Sequence, residues 1–213
     1  MDEFVKKHQN IIFQLTITSL EKNGFKAVLA DSREQAADLI MEIAKDCSSI
    51  GVAGTHTVRA LGILEKLEKD GKAMSDHWKF QPGTPEEIDC RRSQGQVDLF
   101  LSSANAVTMN GEIVNRDGCG NRTNALTFGP KKVVIVVGKN KITPDLESAI
   151  ARIEEVAAPR RAISLNRKTP CVKSGYCMDC DSPERICRIT SILHRRPMLT
   201  DLTVIIIPED LGY

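Results

Sequence analysis

The chain has 213 residues, of which 41% are hydrophobic, 27% charged and 4% aromatic, and its formal net charge is +1. This length is sufficient for one hydrophobic core, and the nearly neutral charge with few aromatic residues argues against a nucleic-acid binder. The charged N-terminus is unlike a signal peptide and the longest apolar runs are too short for a membrane span, so we expect a cytoplasmic protein.

Residues 2–53 alternate between helical and strand patterns. Apolar residues at helical spacing predict a helix over 2–22, and the face that we expect to be buried consists of Phe4, His8, Ile11, Ile12, Leu15 and Ser19. Ser32 and Gln35 have the spacing of a capping box, which predicts the start of a second helix. Short apolar runs at 26–30 and 50–53 are typical of buried strands.

Three further strands are predicted at 97–101, 133–137 and 203–207. The run 133–137 is β-branched throughout, which is typical of a central parallel strand buried on both faces. Met109-Asn110-Gly111 separates two apolar runs, and Asn-Gly accepts a positive φ, so we predict a β-hairpin there.

A late helix and the order of the elements define the expected fold. Thr143 and Pro144 predict the start of a helix that ends before Pro159. Helices and strands alternate along the chain, and this predicts one α/β domain over 1–213 with a mostly parallel sheet flanked by helices.

Four of the seven cysteines lie close together in the segment 170–190, at Cys171, Cys177, Cys180 and Cys187. Disulfides are disfavoured in a reducing compartment, whereas four thiolates suit an iron–sulfur cluster or tetrahedral zinc. We favour a 4Fe–4S cluster, and zinc or a segment without metal are the alternatives. Ser182-Pro183-Glu184 predicts a helix that contains Cys187.

Two polar loops follow predicted strands and are candidates for a substrate pocket. Ligands of parallel sheets collect at the carboxyl ends of the strands. Ordinary turn chemistry would explain some of these residues, but not all of them. The residues that we predict to bind substrate are Gly54, Thr55, Thr57, Asn105, Asn115, Gly120, Asn121 and Arg122.

Asp117 and His56 are the candidate catalytic residues, because a carboxylate or an imidazole in such a loop can exchange a proton with a ligand. A structural role is the alternative for His56. Cys119 is a loop thiol with no assigned base, and it is either incidental or a nucleophile or extra ligand.

Several motifs together resemble the LUD-domain (lactate-utilisation) family. They are Gly54-Thr55-His56-Thr57, the loop 105–122, the runs 128–133 and 137–141, Pro170-Cys171, Cys177-Met178-Asp179-Cys180 and the tail 208–212. The resemblance implies the NagB/RpiA/CoA-transferase-like fold, which sugar-phosphate isomerases and CoA transferases share. It also implies a role in oxidising lactate or a related small hydroxy acid alongside iron–sulfur proteins.

Three functions remain open. The first is an iron–sulfur protein in lactate or related hydroxy-acid and keto-acid metabolism. The second is a non-redox isomerase or transferase that acts on a phosphorylated or CoA-linked substrate and holds a structural zinc. The third is a non-catalytic subunit of an oxidoreductase. The expected partners are a small anionic substrate, an iron–sulfur redox protein and, as an option, a second copy in a homodimer.

Overall fold

The structure is a computed structural model and describes residues 3–213. A six-stranded sheet forms the centre of the protein. Its strands are β1 (Lys26–Leu29), β2 (Ser49–Val52), β3 (Ala73–Asp76), β4 (Leu99–Ser102), β7 (Lys132–Gly138) and β10 (Asp201–Ile207). They lie in the order β1-β10-β7-β4-β2-β3, and every neighbouring pair is parallel. The predicted parallel α/β architecture is confirmed, with β3 as a strand that the sequence patterns did not indicate.

A second sheet lies beside the first and contains the predicted hairpin. Its strands are β5 (Ala106–Thr108), β6 (Ile113–Asp117), β8 (Ile142–Thr143) and β9 (Ile189–Leu193), in the order β8-β5-β6-β9. β5 and β6 are antiparallel, and Gly111 in the turn between them has a φ of +81°.

Helices cover both faces of the parallel sheet. They are α1 (Glu3–Lys22), α2 (Arg33–Ala44), α3 (His56–Arg59), α4 (Ile63–Lys69), α5 (Pro85–Ser93), α6 (Asn121–Thr127), α7 (Leu146–Arg152), α8 (Ala158–Ser164) and α9 (Cys171–Ser174). Ser32 caps α2 as predicted, because its side chain accepts a hydrogen bond from Gln35 N.

The central strand β7 divides the core into two halves. Val133, Ile135 and Val137 pack with α1, α6 and the second sheet. Val134 and Val136 point to the opposite face, where they pack with α2, α3 and α4. Successive side chains of a strand point to opposite faces of the sheet, so a run of β-branched residues fills the core on both faces.

The predicted buried face of α1 is wrong. Phe13, Thr16 and Leu20 are buried instead, whereas Phe4, Ile11 and Leu15 are 79%, 51% and 50% exposed. The helix carries two apolar stripes, and the stripe with the Phe13 ring packs on the sheet. The predicted start of this helix at Asp2 lies outside the described residues.

The late helix begins and ends later than predicted. Asp145, rather than Thr143, caps α7, and its carboxylate accepts a hydrogen bond from Ser148 N at 2.8 Å. A π-helical segment, Ile153–Ala157, joins α7 to α8, so the helix continues past Pro159. Pro159 falls in the first turn of α8, where a missing N–H is tolerated.

Within residues 3–213, no helix combines the length and the apolar character that a membrane span requires.

Candidate functional site

A cavity of about 570 Å³, called here the polar cavity, lies at the carboxyl end of the parallel sheet. The segments that follow β2, β3, β4, β7 and β10 contribute to its lining with residues 54–57, 77–78, 103–105, 141 and 212–213. β2 and β4 are parallel neighbours, and therefore the two predicted loops meet at one edge.

Most of the predicted site residues line the polar cavity. They are Gly54, Thr55, His56, Thr57, Asn105, Asp117, Asn121 and Arg122, and Cys119 joins them. Asn115 does not line the cavity: it is fully buried on β6, opposite Ser191 of β9, and its side-chain amide has no hydrogen-bond partner among residues 3–213. Gly120 is also outside the lining; its φ of +88° forms the turn before α6.

Arg122 is held by other polar groups of the loop. Its Nη2 donates to Asn105 Oδ1 at 3.0 Å and to Arg116 O at 2.6 Å. Burial lowers the pKa of the Arg122 guanidinium, although the nearby Asp117 acts in the opposite direction. The guanidinium keeps a donor set that suits a carboxylate or phosphate.

Asp117 has a structural task in this arrangement. Its Oδ1 accepts a hydrogen bond from Gly118 N at 2.8 Å, and its Oδ2 accepts one from Thr123 N at 3.2 Å. Both carboxylate oxygens therefore stabilise the chain at the start of α6. The predicted role of Asp117 as a proton acceptor must compete with these two bonds.

His56 lies among cations and aromatic rings. Its Nε2 is 3.3 Å from Arg161 Nη1 and 3.3 Å from Tyr213 Oη, and its ring packs against Trp78. Burial, followed by the charges of Arg161 and Arg59, lowers the pKa of His56. Because Arg161 can only donate, the neutral imidazole accepts at Nε2 and carries its proton on Nδ1.

Several lining residues were not anticipated from the sequence. They are His77, Trp78, Glu87, Arg91, Ser103, Lys141, Arg161 and Tyr213. His77 is neutral, because burial lowers its pKa to about 4, and its Nδ1 lies 3.0 Å from Gln94 Nε2. His77 and Trp78 directly follow β3, a short and polar strand that the sequence patterns did not indicate. Recognition of this strand would have marked both residues as candidates for the site.

Cations outnumber carboxylates around the polar cavity. Arg91 pairs with Glu87, and Arg116 pairs with Glu154 at 3.0 Å. In the described part of the chain, Arg122 and Arg161 have no carboxylate within ion-pair distance. A surplus of positive charge in a partly desolvated cavity favours an anionic ligand.

A second, smaller cavity, called here the cysteine cavity, is surrounded by the late cysteines. Its lining contains Cys171, Cys177, Cys180 and Cys187 together with Ala158, Pro159, Thr169, Met178, Arg185 and Ile186. All four thiols are free. Cys187 and Ile186 also line the polar cavity, so the two cavities share a wall.

The predicted helix around Cys187 is wrong: residues 181–188 form turns and irregular chain. The side chain of Glu184 instead accepts a hydrogen bond from Lys168 N, at 2.9 Å. Arg185 donates to Cys180 O at 2.6 Å and to Cys187 O at 2.8 Å. These contacts fold the segment back on itself, which a helix would prevent.

The thiols interact within this segment. Burial raises the pKa of Cys187, Arg116 opposes this effect, and the neighbouring thiols of Cys177 and Cys171 add to it. Asp179 has a φ of +45°, and its N–H donates to Cys177 Sγ at 3.4 Å. Within residues 3–213, no three His, Cys, Asp or Glu side chains are arranged to hold a single metal ion.

The comparisons with known proteins agree with this architecture. A crystal structure of a DUF162 family protein from Deinococcus radiodurans is similar, with a TM-score of 0.55 and 13% identity. The match covers 93% of this chain and 98% of that one, and it supports a shared fold. No curated protein matches the sequence. The family model of the LUD domain matches residues 13–207, and the chain therefore belongs to the LUD-domain family.

Proposed function

We propose that this LUD-domain protein holds an iron–sulfur cluster in its cysteine cavity and acts on lactate or a related small hydroxy acid or keto acid in its polar cavity. Membership of the family supports a role related to lactate utilisation. The observation that carries the proposal is the shared wall: Cys187 lines both cavities, so a group bound by this thiolate lies next to a ligand of the polar cavity.

Four free cysteines surround one cavity, and four thiolates suit an iron–sulfur cluster or a single zinc ion. Cys171, Cys177, Cys180 and Cys187 would hold the cluster, which would exchange electrons when bound.

The residues of the polar cavity would bind and orient the acid. Arg122 and Arg161 provide cations for its carboxylate, and neither has a carboxylate of the described chain as an ion-pair partner. His56 is neutral and accepts from Arg161 at Nε2, so its Nδ1–H can donate a hydrogen bond to a hydroxyl group. The charged hydrogen bonds would set the orientation of the acid relative to Cys187.

The size of the polar cavity favours a second candidate. A volume of about 570 Å³ is in the range that encloses ligands much larger than a three-carbon acid. Combined with the surplus of cations, it supports an isomerase or transferase that acts on a phosphorylated or CoA-linked substrate. In that case the cysteines would hold zinc.

Metal analysis tests the cluster. We expect protein purified without oxygen to contain iron and acid-labile sulfide and to absorb broadly in the visible range. Cys177→Ser should lose the iron, because one of four ligands is removed. Cys119→Ser is the matched control, since this thiol is exposed and lies outside the cysteine cavity, and it should keep the iron. Stoichiometric zinc without iron in the wild-type protein would favour the second candidate.

Calorimetric titration tests the ligand class. Lactate and pyruvate should bind to the oxygen-free protein, whereas inorganic phosphate should not compete with them. Strong binding of phosphate, with no binding of either acid, would contradict the proposed substrate and support a phosphorylated one.

A further inference from the structure

Lys141 is a buried amine in the wall of the polar cavity. It ends the short turn that follows β7, at the carboxyl edge of the sheet, and only 4% of it is exposed. Its Nζ reaches the segments that follow β2 and β4, where it donates to Thr57 Oγ1 at 2.8 Å and to Ser103 Oγ at 2.9 Å.

The hydrogen-bond network determines the direction of both contacts. Thr57 donates its hydroxyl proton to Leu211 O at 3.3 Å, and Ser103 donates its proton to Val136 O at 2.6 Å. Both hydroxyl oxygens therefore accept from Lys141, and each uses one of its N–H groups. A neutral amine satisfies both contacts and keeps a lone pair, whereas an ammonium would bring a third N–H.

The charges around Lys141 favour the neutral amine. No carboxylate of residues 3–213 forms an ion pair with it, and the charged groups that act on its Nζ are the cations Arg152 and Arg122. Burial, followed by these two charges, lowers the pKa of Lys141 to about 7. A desolvated lysine beside other cations is an activated nucleophile, because a large fraction is unprotonated near neutral pH.

We propose that Lys141 is a reactive amine that forms an imine with the carbonyl group of a 2-oxo acid bound in the polar cavity. This inference rests on the proposed function, since it takes the keto acid as the ligand. The Nζ lone pair forms a bond to the carbonyl carbon while the C=O π electrons move to oxygen. Both amine hydrogens then leave with that oxygen as water, so the step needs no oxidant or reductant.

The neighbouring Arg122 supports a ligand with a carboxylate next to its carbonyl group. Its charge acts on Lys141, and both residues line the same cavity. The hydrogen bonds of Arg122 to the described chain come from Nη2. A carboxylate on this guanidinium would keep the adjacent carbonyl carbon near the amine, and a 2-oxo acid has these two groups on neighbouring atoms.

Reductive trapping tests the inference. The protein, purified without oxygen, is incubated with pyruvate at pH 7, reduced with sodium cyanoborohydride and analysed by mass spectrometry. We expect one 1-carboxyethyl group per chain, located on the peptide that contains Lys141. Ordinary exposed lysines, with a pKa of about 10.4, stay protonated at this pH and react slowly. Lactate has no carbonyl group, so it should give no adduct and should reduce trapping by competition.

Two controls separate this inference from the proposed function. Lys141→Arg keeps hydrogen-bond donors but cannot form the imine, so it should give no adduct. Calorimetry on the same wild-type sample reports pyruvate binding independently. Binding without an adduct, or an adduct spread over exposed lysines such as Lys131, would overturn the role of Lys141 and leave the proposed function intact. Absence of binding by pyruvate and lactate alike would overturn both.

Discussion

At the scale of single residues, Lys141 combines a reactive position with a cost in stability. Burial and neighbouring cations disfavour the protonated form of Lys141, so the amine binds a proton more weakly in the folded protein than in the unfolded chain. Functional sites often contain such groups, because the property that destabilises the fold is the one that makes the group reactive.

Replacing Lys141 by methionine should stabilise the protein in a pH-dependent way. The pKa of Lys141 is lowered from 10.5 to about 7, so the penalty in the wild type is complete below pH 7 and disappears as the pH rises to 10.5. Lys141→Met should therefore have the larger free energy of unfolding at pH 6, by about 5 kcal/mol at most, and this advantage should shrink towards pH 10.

Denaturant unfolding of both proteins from pH 6 to pH 10 measures this difference. Lys131→Met is the matched control, because it replaces a lysine whose side chain is 85% exposed. An advantage of Lys141→Met that stays constant, or grows with pH, would contradict the assignment of a neutral amine.

At the scale of elements, the hairpin between β5 and β6 packs against the end of α1. Asn23 Nδ2 donates to Asn110 O at 2.9 Å and to Gly111 O at 3.1 Å. A Cβ on Gly111 would lie 2.6 Å from the backbone carbon of Ser19. The glycine is therefore required by its positive φ and also by close contact with the helix.

Gly111→Ala should destabilise the protein more than Gly83→Ala. Both glycines have a positive φ, +81° and +86°, but a Cβ on Gly83 would meet no atom of the described chain within 4 Å. The control should cost about 1–2 kcal/mol from the left-handed conformation, and Gly111→Ala about 1–3 kcal/mol more from overpacking. The free energy of unfolding in denaturant gives both values, and equal losses would show that the helix contact is unimportant.

At the scale of the whole molecule, the wall between the two cavities connects the proposed cluster to the proposed ligand. Cys187 and Ile186 belong to both linings, and Arg116, which lines the polar cavity, acts on the Cys187 thiol. The potential and the electronic structure of a cluster respond to charges and hydrogen bonds near its sulfurs.

Pyruvate should change the electron paramagnetic resonance spectrum of the reduced protein. A carboxylate bound next to Cys187 alters the field at the cluster, and so the signal should shift as the ligand saturates. Arg122→Gln should require about 10- to 100-fold more pyruvate for the same shift, because one charged hydrogen bond is lost. Arg92→Gln, an exposed arginine outside the cavity, is the control. Calorimetric binding without any spectral change would disprove this coupling.

Local patterns in the sequence were sufficient for the elements whose structure depends on near neighbours. The β-branched run at 133–137, the Asn110-Gly111 turn and the Ser32 cap each follow from steric or hydrogen-bonding preferences within a few residues. Most of the candidate residues predicted in the cysteine segment and in the 54–57 and 105–122 loops likewise line two adjacent cavities. The cluster itself stays a prediction.

Tertiary packing decided the remainder, because it selects among local alternatives and joins residues that are distant in the chain. The sheet, rather than helical periodicity, chose which of the two apolar stripes of α1 is buried. Asn115 was predicted to bind substrate because it follows a predicted strand, but it lies within β6, is paired with β9 and does not line the polar cavity. Lys141 meets Thr57 and Ser103 across 84 and 38 residues of sequence, since the parallel strands before all three end at the same edge. The spacing of residues along the sequence does not reveal contacts over such distances, and the burial and hydrogen bonding of the Lys141 amine depend on these contacts.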